Sequence, residues 1–184
     1  ISVDDANIVR FSADAGTFLA DAVLEDDDPA GLSLGYTTVV DRGIPPGAFV
    51  AAPSGIPGHF VSCPDVEAIS SIAEQLTEDV PEPLLRLQRI ESWLKLRRIY
   101  DPGGPGGQTI GAVERFLSNE FARGNLEMFV TSYALLARCA GVPVRVIVGY
   151  RAPQPDDTTS YAPEDLSAWV ETPLGGIGWV ALDP

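Results

Sequence analysis

Basic charge is scarce in this chain: 12 Lys and Arg face 26 Asp and Glu, leaving a formal net charge of −14. A surface of that sign repels phosphate backbones, which excludes nucleic acid as a partner. Histidine is limited to His59, methionine to Met128 and cysteine to Cys63 and Cys139. No spacing of Cys with His describes a zinc site, and nothing in the chain implies a metal or a cofactor. The acidic run Glu25 to Asp28 lacks the spaced ligands and turn glycine of an EF-hand loop, so it reads as a solvated loop. Long hydrophobic runs are also missing. None reaches the ~18 to 20 residues that span a bilayer, because Arg138, Arg145 or glycines interrupt them. The sequence starts at Ile1 with its only methionine at 128, as expected for a piece of a longer chain or a processed product. The two cysteines leave pairing open. Cys139 closes an apolar helix, where a free thiol behaves as a small hydrophobe, and a Cys63–Cys139 bond would need an oxidising compartment.

What is present is ordered as strands, then helices, then strands. Residues 1–62 alternate as β and loop, at Asn7 to Phe11, Gly35 to Val40 and Ala48 to Val50, with Gly and Pro between. From Pro64 the apolar period lengthens. Val66, Ile69, Ala73 and Leu76 mark one helix, and Leu84, Leu87, Ile90 and Leu94 a second with Lys95, Arg97 and Arg98 at its end. Gly103 to Gly107 is expected to be a mobile loop. It is no phosphate-binding loop, since no Lys–Ser/Thr pair follows it and Pro105 removes a donor. A third helix is expected from Thr109 to Phe121, burying Ile110, Val113, Leu117 and Phe121. A fourth is expected from Leu126 to Ala140, with Asn125 as N-cap and a stop at Gly141 and Pro143. Strands follow at Val144 to Tyr150, Leu166 to Glu171 and Gly178 to Leu182, with a polar loop from Arg151 to Glu164. Helices followed by a run of strands predict an α+β fold with an antiparallel sheet. We expect a β/loop segment over 1–62 and a core over 63–184 within one compact whole.

Several pieces of this core, taken in order, resemble one family. They are Glu114 to Leu117, Arg123-Gly124-Asn125-Leu126-Glu127-Met128-Phe129, Ala137-Arg138, Gly141-Val142-Pro143-Val144-Arg145, Gly149-Tyr150, Ser167-Ala168-Trp169-Val170-Glu171 and Asp183-Pro184. Their order and spacing from about Pro64 to Pro184 resemble the transglutaminase-like, papain-like cysteine hydrolase and transferase superfamily. The resemblance implies a central helix packed on an antiparallel sheet. In that family a cysteine opens the helix, and a histidine and an aspartate sit on consecutive strands. The helix terminus and an imidazolium together lower the thiol pKa so that it attacks as a thiolate. Here Leu126 stands at the cysteine position, Ser167 at the histidine position and Asp183 at the aspartate position. The resemblance therefore implies a degenerate triad and a pseudoenzyme that binds or scaffolds.

Around those positions each residue has a plain reading beside the functional one. Leu126 is core filling or the floor of a vestigial groove. Ser167 is a strand hydroxyl, because no imidazole or Lys would activate it. Glu127, Trp169 and Trp179 are candidate groove-lining residues. Equally, Glu127 suits the helix dipole as a first-turn charge, and strand tryptophans pack. The loop residues Gln154, Asp156, Asp157 and Tyr161 could meet a partner. An alternative is a cysteine- or serine-type hydrolase or acyltransferase with relocated residues, Ser167 with Asp183 or Cys63 with His59. The glycine-rich loop and the Arg-heavy, Lys-poor composition are similar to bacterial, actinobacterial members. The resemblance then implies a domain on the extracytoplasmic side of the membrane, a membrane-anchored parent, and a peptide, cell-wall or protein ligand.

Overall fold

The computed structural model describes residues 49–50, 56, 58–107, 109–149, 166–175 and 178–182. The expected strands before residue 41, the acidic run Glu25 to Asp28, the 151–164 loop and Asp183 lie outside the described residues. The chain divides into two units: Ile1–Gly43 with Val148–Ser167, and Ile44–Ile147 with Ala168–Pro184. Nearly all described residues belong to the second.

That unit is built around apolar stripes. Helix α1 (Glu67–Thr77) buries Ile69, Ala73 and Thr77, one residue per turn, and the Thr77 hydroxyl donates to the Ala73 carbonyl at 2.7 Å. Helix α2 (Pro83–Arg97) opens on a proline whose missing N–H costs nothing there, and buries Leu87, Ile90 and Leu94. It stops earlier than expected. Ile99–Tyr100 forms strand β1, which pairs in parallel with strand β2 (Arg123–Gly124).

Helix α3 (Ile110–Ser118) is also shorter than expected. Thr109 caps it by accepting the Ala112 N–H at 3.3 Å. At its other end both the main-chain N–H and the side chain of Asn119 donate to the Arg115 carbonyl, the latter at 2.6 Å, and Asn119 itself turns to extended backbone, so the helix ends there. Phe121 then sits at φ 58 and is 59% exposed, and Ile110 is 40% exposed. Phe116 fills the core in their place.

Helix α4 (Leu126–Cys139) buries nine residues, including Met128, Phe129, Val130, Tyr133 and Leu136. A helix enclosed on most of its circumference is a core helix, and α1, α2 and α3 all pack on it. Gly141, at φ 75, ends it in the left-handed conformation that glycine adopts without a Cβ penalty. Two arginines secure this end. Arg86 donates to the Ala140 and Val80 carbonyls at 2.8 and 2.6 Å, and Arg138 donates to the Val144 carbonyl.

Strands β3 (Arg145–Gly149), β4 (Ser167–Leu174) and β5 (Gly178–Leu182) form a sheet in the order β3-β4-β5. β4 and β5 are antiparallel with Val170 opposite Leu182, and those two residues join the helical core. The expectation of an α+β fold with a central helix against an antiparallel sheet is met. β4 runs three residues past the expected end, because Thr172 hydrogen-bonds the Pro143 carbonyl and Val50 bridges Leu174.

Side-chain alternation places Trp169, Glu171 and Trp179 on the face opposite Val170. Glu171 is 1% exposed yet ionisable. Arg145 meets its Oε2 from Nη2 at 2.7 Å and Nε at 2.8 Å, and the Trp169 indole donates to Oε1 at 3.1 Å. The Arg145 guanidinium lies 4.2 Å above the Trp179 ring.

Residues 58–64 form a strap along this unit. Cys63 is bonded to Cys139, at the last residue of α4, across a separation of 76 residues. The free-thiol reading of Cys139 is thereby replaced, since its sulfur lies within bonding reach of a segment the sequence leaves unplaced. Closing a loop of that length removes about 4.5 kcal/mol of unfolded-chain entropy in the chain-entropy account. Among the described residues, the strap's other holds include a Val144 N–H bond to the Phe60 carbonyl at 3.0 Å and the Phe60 ring edge-on to Trp179 at 5.5 Å. Those two return about 1 kcal/mol each. Ordering a backbone costs about 1 to 2 kcal/mol per residue, so the covalent bond is the decisive tether.

Removing one member of the Arg145–Glu171 pair leaves a desolvated charge. Glu171→Ala should lower stability by about 3 kcal/mol, while Glu171→Leu combined with Arg145→Met should cost much less. Urea denaturation of the three proteins checks this; equal losses in the single and double variants would contradict it.

Candidate functional site at the start of helix α4

The backbone entering α4 is held from two sides. On one side the β1–β2 ribbon fixes it, with the Asp101 N–H donating to the Gly124 carbonyl at 2.9 Å and the Ile99 N–H to the Ala122 carbonyl at 3.0 Å. On the other, the glycine-rich loop lies directly on the helix start. Asp101 folds that loop by accepting the Gly103 N–H on its side chain and the Gly104 N–H on its carbonyl. The Asn125 N–H then reaches the Pro105 carbonyl at 3.3 Å.

Glycines lie in this close contact at three places, and Gly124 is the one it requires, because the atoms facing Gly106 and Gly107 are the ends of flexible side chains that can shift. A Cβ on Gly124 would stand 2.8 to 2.9 Å from Met128 and Phe116 atoms, and one on Gly107 would overlap the Met128 thioether. One on Gly106 would meet the Glu127 carboxylate at 2.7 Å and the Asn125 amide at 3.0 Å. The loop expected to be mobile is therefore also a close packing surface for the first turn of α4.

Asn125 caps the helix as the sequence predicts, its Oδ1 accepting the Met128 N–H at 3.0 Å. Leu126 follows as the first helical residue. It is half-buried and packs against the core cluster, so it fills the core and keeps part of its surface outside it. Glu127 is half-buried beside Gly106, in the first turn where its charge suits the dipole. Tyr100 stacks edge-on to Phe129 at 5.9 Å, and Phe129 to Phe116 at 5.3 Å, which fixes the helix beneath the ribbon. Arg123 and Asp101 form a long, exposed pair at 3.5 Å, worth little energetically.

Ser167 is half-buried at the start of β4 and belongs to the unit that does not contain Leu126. Asp183 lies outside the described residues. Trp169 is fully buried and donates to Glu171, whereas Trp179 is half-buried between the Phe60 ring and the Arg145 guanidinium. His59 is exposed in a short 3-10 turn, its ring 4.1 Å from that of Phe60. Both cysteines are consumed by the disulfide, so neither sulfur is a thiol.

The groups with shifted titration are framework groups. The Tyr133 hydroxyl donates to the Leu87 carbonyl, and burial, reinforced by Glu91, pushes the phenol up. Arg98 sits over the Trp93 and Phe116 rings and donates to the Leu117 carbonyl, and burial pulls its guanidinium down. The sequence reading missed the Arg145–Glu171 pair. A carboxylate two residues beyond Trp169, in an otherwise apolar strand, was the signal, with an arginine on the neighbouring strand to receive it.

Close packing and capping set the strength of this helix start. Gly124→Ala should destabilise by about 1 to 3 kcal/mol through overpacking, and Asn125→Ala by about 1 kcal/mol through the lost cap. Thermal melts read both; an unshifted Gly124→Ala midpoint would mean that Met128 and Phe116 yield freely.

The profile of the transglutaminase-like superfamily matches residues 70–184. Among solved structures, the periplasmic domain of TgpA from Pseudomonas aeruginosa is similar at 20% identity and a TM-score of 0.55, covering 71% of this chain and 48% of that one. A candidate cysteine protease from Cytophaga hutchinsonii is similar at 18% identity and a TM-score of 0.52, covering 73% and 44%. The chain thus spans about half the length of the solved structures it matches. No curated protein gives a significant match. The α4-centred core, the order of the elements and the matched span together place this chain in the transglutaminase-like superfamily.

Proposed function

We propose that this chain is a catalytically inactive transglutaminase-like domain that binds or scaffolds outside the cytoplasm. The observation that carries the reading is the side chain at the head of α4. Leu126 offers no atom that can become a nucleophile, and the two cysteine sulfurs are bonded to each other. Acyl transfer by this family's route needs a thiolate and an imidazole to accept and return its proton. Ser167 at the histidine position supplies neither.

The relocated Cys63–His59 pair is disfavoured on the same ground, because a disulfide sulfur is no thiolate. A Ser167–Asp183 hydrolase has no group to activate the hydroxyl. The disulfide supports an oxidising, extracytoplasmic location, and the periplasmic origin of the TgpA domain agrees with it. No helix among the described residues is long and apolar enough to cross a membrane, so a membrane anchor would belong to other parts of a larger bacterial protein, as in actinobacterial members of the family. The ligand class we favour is a peptide or cell-wall chain laid along the old substrate groove beside Leu126 and Glu127, or a protein partner there. Neither metal nor cofactor enters this role.

Amine-incorporation and peptide-hydrolysis assays should give no turnover above a heat-denatured control, and thiol-directed activity probes should leave the protein unlabelled. Leu126→Cys should become the one labelled site, since a thiol in the first helical turn is acidified. Saturable turnover by the unaltered protein would overturn the proposal.

A further inference from the structure

The strap over residues 58–64 is held in an unusual way. None of the residues in its short 3-10 turn is buried, and Cys63 itself is exposed. What lies beneath it is organised. Phe60 leans on Trp179, Trp179 carries the Arg145 guanidinium, and Arg145 neutralises the buried Glu171. The main-chain bond from Val144 to Phe60 comes from a fully buried residue next to that cluster. By contrast, the helical core holds through side chains with no exposure, such as Leu87, Ile90, Leu94 and Leu136. Among the described residues, one covalent bond therefore secures a segment that the non-covalent contacts there hold weakly, while the core has independent support.

We propose that the Cys63–Cys139 disulfide is a redox-addressable clasp whose reduction releases the 58–64 strap from the Trp179–Arg145 surface and leaves the helical core folded. The co-reactant is a dithiol reductant. Its thiolate attacks the exposed Cys63 sulfur, the bond to Cys139 breaks, and Cys139 departs as a thiolate that takes up a proton. The second thiol of the reductant then attacks the mixed disulfide and frees Cys63 as a thiol. Two electrons and two protons pass to the two cysteines, and the dithiol ends as a disulfide. Release bares the Trp179 indole and the guanidinium stacked on it, a surface suited to a planar group.

Limited chymotrypsin digestion of the whole chain, oxidised and after dithiothreitol, tests this, with Cys63→Ser digested without reductant as the second arm. We expect cleavage after Phe60 to accelerate at least tenfold in both the reduced protein and the variant. Far-UV circular dichroism and a cooperative melt should persist, at a lower midpoint. Cleavage after Phe60 at the oxidised rate would overturn the clasp, since the strap would then be self-supporting. Loss of the cooperative melt, with cleavage spread through α1 to α4, would also overturn it and make the bond a staple of the whole domain.

Discussion

Helix α4 is enclosed by α1, α2 and α3, and reaches Val170 and Leu182 of the sheet through the same apolar cluster. Its enclosure constrains everything near it. A helix buried around most of its circumference cannot rotate or slide without opening voids, and interiors packed at crystal density do not absorb them. The register of Leu126 is thereby fixed by residues several turns away. So is the position of Cys139, which sets where the strap can be tethered. The two ends of one helix thus carry the two features of interest, an aliphatic group at its head and a disulfide at its tail.

The head of the helix separates architecture from chemistry. The Asn125 cap, the β1–β2 ribbon, the seated glycine loop and the aromatic stack of Tyr100, Phe129 and Phe116 all position residue 126 closely. None of them needs residue 126 to be a cysteine. A fold can keep its positioning apparatus while the reacting atom changes, because the apparatus is also the core. Fold membership and catalytic competence are for this reason different statements about the chain.

Much of this was legible in the residues themselves. The 3- and 4-residue spacing of Ile69 and Ala73, of Leu87, Ile90 and Leu94, and of Phe129, Tyr133 and Leu136 located three helices, because each stripe faces one core. Asn125 announced its cap, and Gly141 its stop. The end of α3 was not legible, since Asn119 turns to extended backbone there while an apolar Phe121 looked like a continuing stripe. The Cys63–Cys139 bond was left open by the sequence, as it depends on a long-range approach that local pattern does not encode. The candidate site was read from its order of motifs, and the polar cluster behind Glu171 was not, because its meaning comes from a neighbouring strand.

At the tail of α4, Arg86 donates to the Ala140 carbonyl and Arg138 occupies the last turn. Fixed cations therefore quench the negative pole of the helix, whereas among the described residues its positive pole is met by a neutral amide cap and the carboxylate of Glu127. The field that would favour an anion at the head of α4 falls on the hydrocarbon of Leu126. Such an electrostatic environment does not depend on the side chain that stands in it, because the backbone generates it.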